Sequence, residues 1–147
     1  MIYWLIGQPG SGKSTLARMI RDNFMHPCIL LDGDDLRVIF GNSYEPKHFT
    51  KEYRIEQTRI LQKLITYIES QNSVDVIVST VNPYRDIREE FKATNENVVE
   101  IYVWKTVDRG REKFAVAEYE VPLENFISVN TTNKTPEESL DELWDSL

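Results

Sequence analysis

Residues 1–15 read Met1-Ile2-Tyr3-Trp4-Leu5-Ile6-Gly7-Gln8-Pro9-Gly10-Ser11-Gly12-Lys13-Ser14-Thr15, a strand-like apolar run followed by the spacing G-x-x-x-x-G-K-[ST]. Gly7, Gly10 and Gly12 let the backbone wrap closely around an anion, so that successive N–H groups point inward as a nest. A helix opening near Lys13 adds its positive dipole end, and the Lys13 ammonium can reach the β- and γ-phosphates of a nucleotide. The Ser14 hydroxyl stands where it can coordinate Mg²⁺, with Thr15 behind it. The stretch Gly7 to Thr15, including Gln8, Pro9 and Ser11, is therefore expected to bind the phosphates of ATP.

Working outward, short apolar runs alternate with helical patterns, which predicts an α/β fold with a mostly parallel sheet. Strands are expected at Ile2–Ile6, Cys28–Leu31, Val74–Ser79, Val98–Val103 and Phe126–Val129. Helices are expected near Lys13–Phe24, Asp35–Phe40, Lys51–Gln71 and Arg85–Lys92, with another over Asp108–Val116. A last helix spans Pro136–Ser146, with Thr135 as N-cap and Glu138 completing a capping box. In the long helix, Ile60, Leu61, Leu64, Ile65 and Ile68 form one apolar stripe and are read as core. The whole is a phosphate-loop NTPase-type, three-layer α/β/α single domain over residues 1–147, with five strands in the sheet.

With 147 residues and a net charge of −7, the chain is one domain and a poor nucleic-acid scaffold, because phosphate-backbone affinity comes from clustered Lys and Arg. A small anionic substrate in a locally basic pocket remains compatible with that charge. The sole cysteine, Cys28, lies in the apolar run Cys28-Ile29-Leu30-Leu31 and reads as a buried small hydrophobe in a reducing, cytoplasmic setting. The first strand begins at Met1, so no removable leader is expected, and no apolar run approaches a membrane span. Trp104, Phe114 and Trp144 are read as core or interface, and the sequence leaves room for a homodimer.

In open parallel sheets, ligands sit beyond the carboxyl ends of the strands. The second strand is followed by Asp32-Gly33-Asp34-Asp35-Leu36-Arg37 and the third by Thr80-Val81-Asn82-Pro83-Tyr84-Arg85. Phosphoryl transfer to a hydroxyl needs charge neutralisation and a proton acceptor. Asp34 is the candidate general base or metal-orienting group, Asp32 assists it, and Gly33 is expected to permit a sharp turn. Ser14 and Asp34 form the expected metal set, with Lys13 and both acids catalytic. The third strand ends in Ser79 and Thr80 rather than an acid, which favours a small-molecule kinase over a motor. Arg37, Arg54 and Arg85 share the expected ligand edge, where guanidinium forks can grip phosphate or sulfate; Arg59 and Arg88 read as less committed.

Leu31-Asp32-Gly33-Asp34-Asp35-Leu36-Arg37 resembles the L-D-G-D-x-x-R motif of adenylylsulfate (APS) kinases. Phe49-Thr50-Lys51-Glu52-Tyr53-Arg54-Ile55-Glu56-Gln57-Thr58-Arg59 resembles their F-S-x-E-D-R-x-x-N-I-R, and Asn82-Pro83-Tyr84-Arg85 with Arg88 resembles S-P-Y-R-x-x-R. Glu118-Tyr119-Glu120-Val121-Pro122, then Val129-Asn130-Thr131, is similar to the family's P-Y-E-x-P and a later strand with Thr. The resemblance implies transfer of the ATP γ-phosphate to the 3′-hydroxyl of adenylylsulfate, with Mg²⁺ and a small nucleotide substrate. Phe49 would then stack on the acceptor base, Arg37 and Arg54 would hold its phosphosulfate, and Asp34 would serve the hydroxyl. Gln57, Asn82, Tyr84 and Arg85 would complete the acceptor pocket.

Departures are also visible. Asn82 replaces the family's serine, Gln57 its helix asparagine and Tyr53 its aspartate. The lid interval shrinks to residues 104–117, where Arg109, Arg111 and Lys113 are the candidate lid cations; Arg109 and Lys113 would share one helical face. Two other readings stay open at this level: a related kinase with another nucleotide-linked acceptor or a polynucleotide 5′-hydroxyl, and an ATP-binding module without turnover.

Overall fold

The computed structural model describes residues 1–42, 44–71, 74–106 and 112–147, the side chain of residue 113 apart. Five strands form one sheet: β1 (Ile2–Ile6), β2 (Cys28–Asp32), β3 (Asp75–Ser79), β4 (Val98–Trp104) and β5 (Phe126–Asn130). Their spatial order is β2-β3-β1-β4-β5 and every pairing is parallel. Parallel strands need long crossovers, which helices supply between β1 and β4: α1 (Lys13–Asn23), α2 (Gly33–Ile39), α3 (Lys51–Gln71) and α4 (Arg85–Thr94); a last helix, α5 (Pro136–Ser146), follows β5. Single 3₁₀ turns sit at Pro46–Phe49 and Glu112–Phe114. Each expected strand is present within a residue or so of its bounds.

Side-chain alternation explains the three layers. Leu5, Ile77, Ile101, Val103 and Val129 point to one face, where they pack on Leu16, Ala17 and Ile20 of α1 and Leu140 and Leu143 of α5. Ile2, Trp4, Ile6, Val76 and Val78 point to the other, against Leu61 and Ile65 of α3 and Phe91 of α4. A sheet buried on both faces cannot alternate apolar with polar, and its strands read as continuous Val/Ile/Leu runs. Burying each such side chain contributes about 1.5–3 kcal/mol. The capping box of α5 forms as expected: Thr135 Oγ1 accepts from the Glu138 amide at 3.2 Å and Glu138 Oε2 accepts from the Thr135 amide at 2.9 Å.

Four sequence expectations are corrected. Ile60 belongs to the periodic stripe yet is 44% exposed, because, of that stripe, α3 buries Leu61 and Ile65 while Leu64 and Ile68 pack at the margin. Cys28 is half-buried rather than buried, since β2 is an edge strand. Helix α2 starts at Gly33, two residues before the expected Asp35, because the Asp32 carboxylate caps it by accepting from the Asp34 amide at 2.9 Å. Within the expected helix Asp108–Val116, the described part forms only the Glu112–Phe114 3₁₀ turn, closed by the Ala115 amide on the Glu112 carbonyl at 3.0 Å.

Candidate active site

The loop after β1 crosses the sheet edge between the ends of β3 and β4, and close backbone approach decides its sequence. Gly7 has φ +149°, and a Cβ there would sit 2.1 Å from the Val103 carbonyl oxygen. Gly10 (φ 80°) and Gly12 (φ 100°) also take left-handed backbone that side chains resist. The far side is held by Thr131, just past β5, whose hydroxyl donates to the Ser11 carbonyl at 2.8 Å. Lys13 is buried, and its ammonium donates to the Gln8 carbonyl at 2.8 Å, so the cation is folded back across the loop. Ser14 Oγ lies 3.4 Å from Ser79 Oγ at the end of β3.

A cleft of about 500 Å³ opens over this loop. Its near wall carries Pro9, Gly10, Gly12, Lys13, Ser14 and Thr15; its far wall carries Asp34, Arg37, Phe49, Arg54, Gln57 and Asn82. Residues separated by most of the chain thus share one cavity. Gly7, Gln8 and Ser11 belong to the loop's frame and do not line the cleft. Lys13, Arg18, Arg37 and Arg54 give the lining a cationic excess over Asp32 and Asp34, within a chain of net charge −7.

The two acids divide their work by burial. Asp32, 2% exposed, spends Oδ1 on capping α2, while the buried Oδ2 has no hydrogen-bond partner among the described residues and lies 3.9 Å from the Arg18 guanidinium. An orphan carboxylate oxygen inside a cleft is expensive unless a ligand or ion completes it. Asp34, in the first turn of α2, is exposed and lines the cleft directly. Gly33 is not a left-handed turn; its smallness lets α2 press on β3, since a Cβ would stand 3.2 Å from the Ser79 carbonyl.

The far wall is aromatic and cationic. The Arg37 guanidinium lies 5.0 Å from the Tyr44 ring centre and 4.7 Å from that of Phe49; Arg54 lies 5.3 Å from Phe49. Phe49 stacks with Phe114 at 5.9 Å and with Tyr44 at 6.1 Å, and Phe114 meets Tyr44 at 5.6 Å. Burial lowers the Arg54 pKa from its ordinary value, and the neighbouring Arg37 charge adds to the effect. Among the described residues no carboxylate lies within ion-pair distance of Arg54, whose Nε donates to the Phe49 carbonyl at 3.2 Å. Such a wall is suited to an anionic group attached to a flat ring.

Two expected acceptor residues lie elsewhere. Tyr84 and Arg85 do not line the cleft. Arg85 is committed to the Val121 carbonyl by Nε at 2.9 Å and Nη2 at 2.7 Å, and its amide donates to Glu120 Oε1 at 2.7 Å. Tyr84 lies under the Lys51 ammonium, 5.1 Å from its ring centre. Arg88 is buried and donates to Glu100 at 2.6 Å, the Asn82 carbonyl at 2.8 Å and the Glu120 carbonyl at 2.5 Å. It holds the backbone of Asn82, at φ 42°, in the cleft lining. Arg109 and Arg111 lie outside the described residues, as does the Lys113 side chain.

Sequence reasoning missed Tyr44, Arg18 and Phe114 as cleft residues. For Phe114 the signal was available: it is an aromatic beside the lid cations. Trp144 packs on Phe24 at 5.7 Å and is core, whereas Trp104 donates from Nε1 to Ser128 Oγ at 3.0 Å.

A parallel sheet with a phosphate loop at the end of β1, facing acids and guanidiniums across one cleft, defines a phosphate-loop phosphotransferase. The model of the adenylylsulphate kinase family matches residues 1–137, and the chain belongs to that family. An adenylyl-sulfate kinase of Rippkaea orientalis is 30% identical over 165 aligned positions, covering 98% of this chain and 89% of its own length. One from Gloeothece citriformis is 36% identical over 104 positions, 68% of this chain and 56% of its own. The hexameric APS kinase from Thiobacillus denitrificans superposes with a TM-score of 0.75 at 27% identity, over 99% of this chain and 28% of that one. The Mycobacterium tuberculosis APS kinase, solved with AMPPNP and APS, shares the fold at a TM-score of 0.73 and 18% identity, over 98% of this chain and 95% of that one.

Proposed function

We propose that this chain transfers the γ-phosphoryl group of ATP to the 3′-hydroxyl of adenylylsulfate, giving 3′-phosphoadenylylsulfate and ADP. The observation that carries the reading is the shared cleft: the phosphate loop forms one wall, and Asp34 with the Arg37–Phe49–Arg54 cluster forms the other. The loop amides and Lys13 take the nucleotide phosphates; the ammonium has three donors, so it can reach a phosphate oxygen while keeping its bond to the Gln8 carbonyl. Arg37 and Arg54 hold the acceptor's phosphosulfate, and Phe49 stacks on its base. Asp34 accepts the proton as the acceptor oxygen forms its bond to phosphorus and the bond to the ADP oxygen breaks.

Mg²⁺ belongs to the same proposal. Ser14 Oγ beside Ser79 Oγ, with the orphan Asp32 Oδ2 and with Asp34 in the lining, is the oxygen-rich, carboxylate-poor donor set this ion uses when phosphates and waters complete its shell. Bound there, it would neutralise charge on the transferring phosphoryl group. Family membership favours adenylylsulfate over the polynucleotide and non-catalytic alternatives. No helix among the described residues is long and apolar enough to cross a membrane. A cytoplasmic setting and a homodimer stay within the proposal, alongside a relative that is hexameric.

The test is turnover of ATP and adenylylsulfate by the wild-type chain and by Asp34→Asn. Loss of the base lowers kcat roughly 100- to 10,000-fold while ATP affinity holds. Unchanged product formation would remove Asp34 from the mechanism. Silence of the wild type on adenylylsulfate, with turnover on another nucleotide, would replace the acceptor.

A further inference from the structure

Gln8 does not line the cleft, yet it ties together two segments that frame it. Its main chain is part of the phosphate loop: the carbonyl accepts from Lys13 Nζ at 2.8 Å and from the Ser11 amide at 3.2 Å. Its side chain turns away from the phosphates and reaches Val116, 108 residues later. There Nε2 donates to the Val116 carbonyl at 2.7 Å, and Oε1 accepts from the Val116 amide at 2.9 Å. One amide side chain thus satisfies both polar groups of a residue that no strand or helix provides for.

Val116 lies two residues beyond Phe114, the aromatic that closes on Phe49 and Tyr44. The stretch between them has no ladder of its own beyond the 3₁₀ turn. Downstream, Tyr119 and Glu120 are anchored separately: the Tyr119 hydroxyl donates to the Val81 carbonyl at 2.9 Å and the Glu120 amide to the Pro83 carbonyl at 3.0 Å. Those anchors hold the chain from residue 119 onward. The Gln8 amide holds what lies before it.

We infer that Gln8 is a positioning residue: its side chain clasps Val116 and thereby fixes the Phe114-bearing segment of the acceptor wall to the phosphate loop. The role in acceptor binding rests on the function proposed above; the clasp itself does not. A rigid tie matters because Phe114 packs against Phe49, the ring that stacks on the flat acceptor, and an untethered segment must lose that freedom on binding.

The experiment compares the wild type with Gln8→Leu, which keeps the bulk and loses both hydrogen bonds, and with Gln8→Glu, which keeps only acceptance from the Val116 amide. Hydrogen–deuterium exchange is followed over residues 112–118 of the chain without substrates, and KM is then measured for ATP and for adenylylsulfate. In Gln8→Leu, exchange at the Val116 amide should accelerate about tenfold or more. The adenylylsulfate KM should rise about tenfold, and at least threefold more than the ATP KM; Gln8→Glu should fall between. Unchanged exchange in Gln8→Leu overturns the clasp. Accelerated exchange with both KM values rising in step overturns the positioning role, because Gln8 would then be serving the phosphate loop alone. If the wild type does not use adenylylsulfate, the exchange result still decides the clasp, and the same KM comparison is made with whichever nucleotide it phosphorylates.

Discussion

The two walls of the cleft are built on different principles. The phosphate-loop wall is almost all backbone, fixed by contacts that leave no slack: Gly7 against Val103, the Ser11 carbonyl on Thr131, buried Lys13. The acceptor wall is almost all side chain. Tyr44, Phe49 and Phe114 come from a loop and two 3₁₀ turns, Arg37 and Arg54 from two helices, and they meet through ring and cation–ring contacts with one another. A phosphate is the same in every nucleotide, so a rigid cradle of amides serves it. An acceptor is particular, and side chains on short connectors are the part of a fold that can be exchanged without disturbing the sheet.

The sharpest way to break the first wall is Gly7→Ala. The added methyl would meet the Val103 carbonyl at 2.1 Å on backbone at φ +149°, and β4 cannot move aside without unpairing from β1 and β5. Backbone strain of about 1–3 kcal/mol and overpacking of similar size should weaken ATP binding roughly a hundredfold. Titration with a non-hydrolysable ATP analogue reads this, with far-ultraviolet circular dichroism as the check on folding. Affinity within a few-fold of wild type would mean that the loop tolerates slack after all.

Phe114→Ala probes the second wall. Phe114 packs against Phe49, the ring that stacks on the acceptor base; such stacking contributes about 1–3 kcal/mol, so loss of the supporting ring should raise the acceptor KM about 10-fold, and at most about 100-fold, while the ATP KM moves little. Equal loss for both substrates would show that the walls are not separable, and that Phe114 supports the phosphate loop through Val116.

This division also explains what could be read from the sequence. The phosphate loop was legible because its geometry is local: three glycines, a lysine and a serine at fixed spacing carry the site by themselves. The strands were legible because burial on both faces leaves unbroken apolar runs. The acceptor wall was only half legible. Asp34, Arg37, Phe49, Arg54 and Asn82 could be placed because each follows a strand end or matches a family motif, and all five line the cleft. Tyr44 and Arg18 could not, because periodicity says nothing about an aromatic on an irregular segment or about which cation of α1 turns toward the cleft; for Phe114 the one signal was its place beside the lid cations. Asp32 shows a subtler limit. Its two oxygens have separate fates, one capping α2 and one left open, and residue identity cannot distinguish them.

Arg85 is where motif and geometry part company, and it carries the smallest expected effect. The motif Asn82-Pro83-Tyr84-Arg85 implied a place for it in the acceptor pocket, whereas its guanidinium donates to the Val121 carbonyl and it does not line the cleft. Together with the Arg85 amide on Glu120, that contact fastens the segment after Tyr119 to the start of α4. Two partly exposed hydrogen bonds to one carbonyl contribute about 1 kcal/mol. Arg85→Ala should therefore lower Tm by a few degrees, on the order of 2–4 °C, and leave the acceptor KM within about twofold. A thermal melt beside steady-state kinetics reads both. A tenfold rise in acceptor KM without a fall in Tm would move Arg85 to the acceptor wall. It would also require the guanidinium to exchange the Val121 carbonyl for substrate.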